Sequence, residues 1–176
     1  MDKEWIPVIA TLFGVILGGL IGALIKRVEM NYQIRYEQRK LILGKIEQLH
    51  NEASTLLHTY IKFLNVLIQM KTLHGFEVER YNEQLELLTK SKISTSSLVY
   101  IYAPSLKDSW EEVLDQAKIF DKYTQSYFED ENITTDQLYD NFRKFSIMSN
   151  VFLGDIEKIS LQYTNLRENA AAKLTS

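Results

Sequence analysis

The chain has 176 residues, of which 45% are hydrophobic and 24% charged, and its formal net charge is −3. This length fits one domain of ordinary size, and the charge differs from that of a strongly basic nucleic-acid-binding protein, so we expect no sequence-specific nucleic-acid partner. With no Cys and only 3 His, the sequence excludes disulfides and Cys-based zinc sites and argues against a His-rich metal centre. With 7 Gly and 2 Pro, the sequence has few of the turn-forming residues that an all-β fold requires.

An uncharged apolar run extends from Trp5 to Ile25, after a short segment, 1–4. A helix rises about 1.5 Å per residue, so this run spans roughly 30 Å, the thickness of the hydrocarbon core of a bilayer. A cleaved signal peptide would need a basic front end, a shorter apolar core and a small-residue cleavage site. Here acidic residues precede the run and Lys26 and Arg27 follow it. We therefore predict an uncleaved transmembrane helix.

The flanking charges predict how this helix is oriented. Basic residues outnumber acidic ones from Lys26 to His50, whereas the segment before the span is net acidic. Positive charge is retained on the cytosolic side, so we expect residues 1–4 outside and the C-terminal part in the cytosol. In a bacterium this arrangement is that of a single-pass protein of the inner membrane.

Small residues recur at every fourth position of the predicted span, at Ala10, Gly14, Gly18 and Gly22. They share one helix face, and this spacing allows two membrane helices to approach closely. The alternative is that glycine is simply commoner in membrane helices than in soluble ones. Because the chain has a single predicted span, we expect the face to contact another copy of the same protein, so that the partners are the protein itself and the lipid bilayer.

The rest of the chain predicts an all-α cytosolic part. We expect a juxtamembrane helix or stalk, 26–41, then an antiparallel bundle of about four helices, 42–168, and a polar tail, 169–176. The first long helix should continue to about residue 73, with Gly44 as the expected place for a bend and Gly75 as its C-terminal cap. Its apolar residues alternate steps of four and three, which is typical of bundle packing. This seam consists of Ile42, Ile46, Leu49, Ala53, Leu56, Tyr60, Phe63, Leu67 and Met70.

A second, shorter helix is predicted over residues 76–90. The following stretch, 91–105, is the least regular part of the sequence, because its Ser and Thr residues suit caps and turns. Its apolar residues 98–102 could form a strand or a helical turn, and we favour the helix because the sequence offers no partner strand.

Two further helices complete the predicted bundle. Pro104 interrupts the chain and Ser105 is the expected cap of the third helix. Residues 129–132 read as a loop, after which Thr134-x-x-Gln137 forms a capping box that opens the fourth helix. The seam of the third helix consists of Leu106, Trp110, Val113, Ala117, Phe120, Thr124 and Tyr127, and that of the fourth of Leu138, Phe142, Phe145, Ser149, Phe152, Ile156, Ile159, Tyr163 and Leu166.

No motif for catalysis or cofactor binding is found, so we expect neither an enzyme nor a cofactor. The sequence has no glycine-rich phosphate loop and no His-Glu-x-x-His zinc motif. Glu47-x-x-His50 has the spacing used in di-iron bundles, but the second copy that such a site needs is missing. We expect His50 and His58 at the surface or at the edge of the seam, without a catalytic or metal-binding role.

The chain resembles the small transmembrane accessory protein of type VI-B CRISPR systems in its size, its span at Trp5–Ile25, its helix number and its content of Lys, Ile, Asn and Tyr. The resemblance implies a degenerate HEPN nuclease fold, assembly into a membrane pore and a functional link to an RNA-guided RNA-cutting effector. HEPN active sites have an Arg and a His on one helix with four to six residues between them, so that the Arg stands five to seven positions before the His. No Arg stands at that spacing before His50, His58 or His74, so no catalytic residue is carried over.

The leading functional hypothesis is a homo-oligomeric membrane protein that forms a pore or perturbs the membrane, with antiviral defence implied by the resemblance. Lys26 and Arg27 would then form a basic collar at the cytosolic mouth, and Phe13 or Ile16 could gate the lumen by dewetting. One alternative is a membrane-tethered helical scaffold or regulator that conducts nothing. A membrane-bound HEPN-type ribonuclease is a third possibility.

Overall fold

Every secondary-structure element that the structure describes is a helix. The computed structural model describes residues 5–73, 78–129 and 133–172, and no strand occurs within these ranges. The all-α fold class is therefore confirmed. Predictions that fall on residues 1–4, 74–77, 130–132 and 173–176 lie outside the described residues, and these include the cap at Gly75. The helices are α1 (Trp5–Leu73), α2 (Val78–Tyr102), α3 (Lys107–Glu129) and α4 (Thr135–Ala172), with a 3₁₀ turn at Pro104–Leu106.

The chain divides into two compact units, Met1–Leu41 and Ile42–Ser176. In the first unit, α1 is helical from Trp5, and every side chain that the structure describes there is exposed. The side chains of residues 5–13 and 16 lie outside the described residues. Within the part of the chain that the structure describes, no helix combines the length and the apolar character needed to cross a membrane.

The second unit is organised around the apolar seam of α1. Its members from Ile46 to Met70 are buried and Ile42 is half-buried, which confirms the seam predicted from the four-three spacing. The helix continues without interruption through Gly44. Large side chains on one face of a helix are removed from water only when other helices cover them, so this seam is the surface on which the remaining helices assemble.

The seams of α3 and α4 are also confirmed. All seven predicted positions of α3 are buried, and those of α4 are buried or half-buried as far as Tyr163, whereas the side chain of Leu166 lies outside the described residues. The predicted capping box opens α4: the Thr134 N–H donates to Gln137 Oε1 at 3.0 Å and the Gln137 N–H to Thr134 Oγ1 at 3.3 Å. These two bonds satisfy backbone groups that the first turn of a helix leaves free.

The prediction for α2 was wrong in its bounds. A helix ending near residue 90 and an irregular stretch after it were expected, but α2 continues to Tyr102 and includes the favoured helical turn at 98–102. Small hydroxyl residues occupy buried positions on its inner face, at Ser91 and Thr95, and Leu98 and Val99 extend that face. On the outer face, Ser97 Oγ donates to the Ile93 carbonyl at 2.9 Å, so its hydroxyl is accommodated within the helix.

The start of α3 also differs from the prediction. Ser105 does not cap the helix, because it lies inside the 3₁₀ turn, and α3 begins at Lys107. Pro104 occupies the first position of the turn, where the N–H that proline lacks would have had no partner. The turn closes on itself and on α2, since the Leu106 N–H donates to the Ala103 carbonyl at 2.9 Å and the Ala103 N–H to that of Val99 at 3.0 Å.

Two adjacent residues of α4 allow the core to be tested. Leu138 is fully buried, whereas Tyr139 is 46% exposed. Leu138→Ala is expected to lower the free energy of unfolding by about 2–5 kcal/mol, because it removes buried methyl groups and leaves a cavity. Tyr139→Ala, the matched control, should change it by no more than about 0.5 kcal/mol. Urea unfolding followed by circular dichroism measures both, and equal effects would contradict the assignment of the inner face of α4.

Candidate functional site

The glycine face predicted from the sequence lies on the helical backbone of the first unit. A Cβ atom built on Gly14, Gly18 or Gly22 would meet no other atom within 4 Å. Nothing in the described structure of one chain therefore requires glycine at these positions. Ala10 is also helical, but its side chain lies outside the described residues. Because glycines leave the helix backbone bare, this face offers a close approach to another helix.

Large apolar side chains surround the glycines and face solvent in the single chain. Val15 is 71% exposed and Leu24 is 62% exposed. A contiguous apolar surface of this kind marks a site that another protein or a membrane covers. The other large apolar residues exposed over residues 15–28 are Leu17, Leu20, Ile21, Ile25 and Val28.

The predicted basic collar follows this apolar surface directly. Lys26 and Arg27 are both helical and both exposed. The side chains of Phe13 and Ile16, which the sequence indicates as a gate, lie outside the described residues. The structure therefore describes the glycine face and the collar on one helix and leaves the gate as a sequence-based prediction.

A cleft of about 410 Å³ lies between α1 and α4 in the second unit. His50 lines it, with its Nε2 atom 3.4 Å from Glu157 Oε1. His50 is half-buried beside the seam and His58 is exposed, as predicted. The place of Glu157 in this cleft was not predicted from the sequence. The signal that could have indicated it is the position of Glu157 next to Ile156, a member of the predicted seam of α4. The full lining is Ile46, Glu47, His50, Asn51, Ile156, Glu157 and Ser160.

The cleft contains one histidine and two carboxylates, His50, Glu47 and Glu157. Across the described ranges, no three side chains of the His, Cys, Asp or Glu type are grouped to hold a metal ion. The lining contains no Arg that could join His50 at an RNA phosphate, and the near neighbour of His50 is a carboxylate. The negative charge of Glu157 favours the protonated form of a nearby imidazole.

A polar network, not anticipated from the sequence, joins three helices inside the bundle. The Tyr60 hydroxyl of α1 donates to Asp121 Oδ1 of α3 at 3.1 Å, and Lys92 Nζ of α2 donates to Asp121 Oδ2 at 2.7 Å. Lys92 Nζ also lies 5.2 Å from the centroid of the Tyr60 ring, within cation–π range. Tyr60 is fully buried, so its hydroxyl would be costly to leave without a partner, whereas Lys92 and Asp121 are partly exposed.

Burial and the carboxylate alter the acidity of the tyrosines near this network. Burial raises the pKa of Tyr60 far above its ordinary value, and the negative charge of Asp121 and its hydrogen bond raise it further. The pKa of Tyr81 is raised for the same two main reasons, burial first and the charge of Asp121 second. Tyr60 therefore remains a neutral hydrogen-bond donor across the physiological pH range.

A lysine near the end of α1 binds a backbone carbonyl on each side of the connection between α3 and α4. Lys71 Nζ donates to the Tyr127 carbonyl at 2.9 Å and to the Ile133 carbonyl at 3.2 Å. The same ammonium group lies 4.0 Å from the centroid of the Tyr127 ring. Carbonyls near the C-terminus of a helix lack intrahelical partners, so a cation is favoured at this position.

Comparison with known proteins does not identify a family. No protein-family model matches the chain, and neither a curated protein nor a solved structure matches it. The functional inference below therefore depends on the chain's own residues.

The raised pKa of Tyr60 predicts a specific loss of stability in alkali. An exposed tyrosine of the unfolded chain ionises near pH 10, about its ordinary pKa. Tyr60 of the folded chain keeps its proton there, so the unfolded state binds fewer protons. The contribution of Tyr60 to the free energy of unfolding is thus complete below about pH 10. Above that pH it decreases by up to about 1.4 kcal/mol per pH unit.

Tyr60→Phe is expected to lose that alkaline dependence and, at neutral pH, to be less stable by about 1–2 kcal/mol because the hydrogen bond to Asp121 is missing. Urea unfolding between about pH 8 and pH 11 measures both effects. Tyr139→Phe is the control, because Tyr139 is exposed and should leave the profile unchanged. An identical alkaline slope in wild type and Tyr60→Phe would contradict the buried, protonated state of Tyr60.

Proposed function

We propose that the chain is a single-pass membrane protein that self-associates through its glycine face and forms a pore or otherwise perturbs the membrane, with its helical bundle in the cytosol. The observation that carries this proposal is the exposed apolar surface of the first unit, from Val15 to Val28, around bare glycines. The uncharged run Trp5–Ile25 supports the span.

The apolar surface needs a covering that one chain does not supply. Leaving a Leu or Ile side chain in water forgoes about 1.5–3 kcal/mol relative to burying it. Lipid can cover the bulky side chains, but lipid gains little from a flat glycine face, which is better filled by a second helix at close range. Self-association through Gly14, Gly18 and Gly22 with lipid around the outside accommodates both kinds of surface.

The exposed Lys26 and Arg27 favour a hydrated lumen over a dry helix bundle. In a ring of copies these side chains gather around one axis, where like charges repel unless water and anions occupy the centre. A basic mouth of this kind also favours anions. The function we propose is therefore a pore with a positively charged cytosolic entrance, and Phe13 and Ile16 are its candidate gate.

The link to RNA-guided antiviral defence is part of this proposal, and its support is the resemblance in chain size, span and helix number. We propose no catalytic activity. No Arg precedes His50 or His58 at the HEPN spacing, and His50 Nε2 lies 3.4 Å from Glu157. A membrane-tethered scaffold is the second candidate, because the same glycine face also suits a simple dimer.

Bulk added on the glycine face should break the oligomer. In Gly14→Leu with Gly18→Leu, the new side chains hold neighbouring helices apart, so the particle mass of the purified protein in detergent should fall. Gly19→Leu is the matched control: a Cβ at Gly19 also meets no atom within 4 Å, but the residue lies about 100° around the helix. Native mass spectrometry measures the subunit number.

The same measurement separates the two candidate functions. A ring of about six or more copies fits a pore, and a dimer fits the scaffold. If the variant with Gly14→Leu and Gly18→Leu keeps the wild-type particle mass, the glycine face is not the contact. The same conclusion follows if Gly19→Leu lowers the particle mass by the same amount.

Removal of the basic collar should weaken conduction. Lys26→Gln with Arg27→Gln is expected to reduce membrane depolarisation several-fold, because the entrance loses its positive field while the side chains stay polar. A voltage-sensitive dye reports depolarisation in cells that also carry the RNA-guided effector proposed to trigger the pore. Arg39→Gln with Lys40→Gln removes the same charge further along α1 and is the control.

Protease accessibility must show the wild-type orientation in the collar variant and in its control, since basic flanking residues also set topology. If the wild-type protein never depolarises the membrane under any trigger, the pore is excluded and the tethered scaffold takes its place.

A further inference from the structure

A run of basic side chains follows the apolar surface of the first unit along α1. The segment 26–41, which we call the basic segment, contains five basic and two acidic residues and carries a net charge of +3, whereas the rest of the chain carries −6. Every side chain of the basic segment is exposed. Its basic residues are Lys26, Arg27, Arg35, Arg39 and Lys40.

The chain itself does not neutralise these basic side chains. In the part of the chain that the structure describes, none of the five makes an ion pair, a hydrogen bond or a ring contact. Two lysines of the second unit, by contrast, are paired: Lys92 Nζ lies 2.7 Å from Asp121 Oδ2 and Lys158 Nζ lies 2.9 Å from Asp155 Oδ1. An exposed positive segment without internal partners is complementary to an anionic ligand.

The place of the basic segment on α1 indicates which anion it meets. Lys26 directly follows Ile25, the last residue of the uncharged run that we propose to span the bilayer. A helix rises about 1.5 Å per residue, so Lys26 and Arg27 lie within about 3 Å of the end of that run. The polar headgroup layer extends about 5–7 Å beyond the hydrocarbon core on each side of a bilayer. The nearest anions to these two side chains are therefore lipid phosphates.

Distance along α1 separates the basic residues into two groups. Because α1 is one continuous helix, Arg39 and Lys40 lie more than about 20 Å beyond the end of the uncharged run. Interactions between exposed charges are screened over a Debye length of about 8 Å at physiological ionic strength. Arg39 and Lys40 are thus too far from the headgroups to bind them, and they provide a matched control for Lys26 and Arg27.

We propose that Lys26 and Arg27 bind the headgroups of anionic phospholipids in the cytosolic leaflet. This inference rests on the proposed function, since it requires the span Trp5–Ile25, and it adds a requirement for one class of lipid. An Arg donates two parallel N–H groups to a phosphate and a Lys presents a compact ammonium group, so both side chains suit this ligand. In a ring of copies, the headgroups neutralise part of the positive charge that gathers at the mouth.

Native mass spectrometry of the full-length protein in mild detergent tests this contact. The protein is titrated with phosphatidylglycerol, which is anionic, or with zwitterionic phosphatidylcholine of the same acyl chains, and the lipids bound to each oligomer are counted. The wild type should bind phosphatidylglycerol at least about fivefold more tightly, because one basic residue near an anionic surface contributes about that factor. Equal binding of the two lipids would overturn the proposal.

Two charge-neutralised variants locate the contact. Lys26→Gln with Arg27→Gln should lose the preference for phosphatidylglycerol, whereas Arg39→Gln with Lys40→Gln should keep it. The exchange Lys26→Arg with Arg27→Lys retains both charges and should also keep the preference. If the Arg39, Lys40 variant loses the preference to the same extent as the Lys26, Arg27 variant, binding does not depend on depth and the assignment is wrong.

Further outcomes separate this inference from its alternatives and from the proposed function. Nucleic acid that copurifies with the wild type but not with the Lys26, Arg27 variant would assign the basic segment to nucleic acid and overturn the lipid contact. Carbonate extraction of membranes reports insertion independently: if it releases the wild type, both proposals fail. If the wild type stays inserted and oligomeric but shows no preference between the lipids, the lipid contact alone is wrong and the glycine-face assembly stands.

Discussion

The interactions of one side chain, that of Tyr60, link α1 to each of the other three helices of the bundle. Its ring centroid lies 5.7 Å from that of Phe120 on α3 and 4.3 Å from that of Phe145 on α4. Its hydroxyl meets Asp121, which in turn holds Lys92 of α2. An aromatic side chain with a polar end suits this position, since it fills apolar space and still requires one particular hydrogen-bond partner. Apolar packing alone tolerates several helix registers, whereas a buried hydroxyl paired with a carboxylate tolerates few.

The residues that could be predicted from the sequence are those whose environment is set by their own helix. The four-three spacing of large apolar residues identified the inner faces of α1, α3 and α4, and the capping box marked the start of α4, because both signals involve neighbours within a few turns. Helix α2 was harder to predict, since Ser91 and Thr95 are buried against other helices although their chemistry suits a turn. Asp121 could not be matched to Tyr60, because their separation of 61 residues is bridged only by the fold.

The same distinction applies to the candidate site. The spacing of Gly14, Gly18 and Gly22 was visible in the sequence, and the structure adds that nothing in one chain occupies the space beside them. Large apolar side chains are exposed on α1 of the first unit and on the outer faces of the helices of the second unit. The residues of α1 that stabilise the bundle and those of the proposed assembly are thus different residues of the same helix. A helix whose inner face is committed to its own core can still present its outer face to a partner.

The Lys71 ammonium constrains a part of the chain that is ordinarily free to vary. Connections between helices usually accept inserted residues at little energetic cost, because loop-closure entropy grows slowly with length. Here one ammonium group binds a carbonyl on each side of the connection, that of Tyr127 at 2.9 Å and that of Ile133 at 3.2 Å. An extra residue between them would shift one carbonyl relative to the other, and Lys71 would then lose one of its two hydrogen bonds. The side chain of Lys71 on α1 therefore constrains the length of this connection, and natural variation in length should be tolerated less here than in a connection without such a contact.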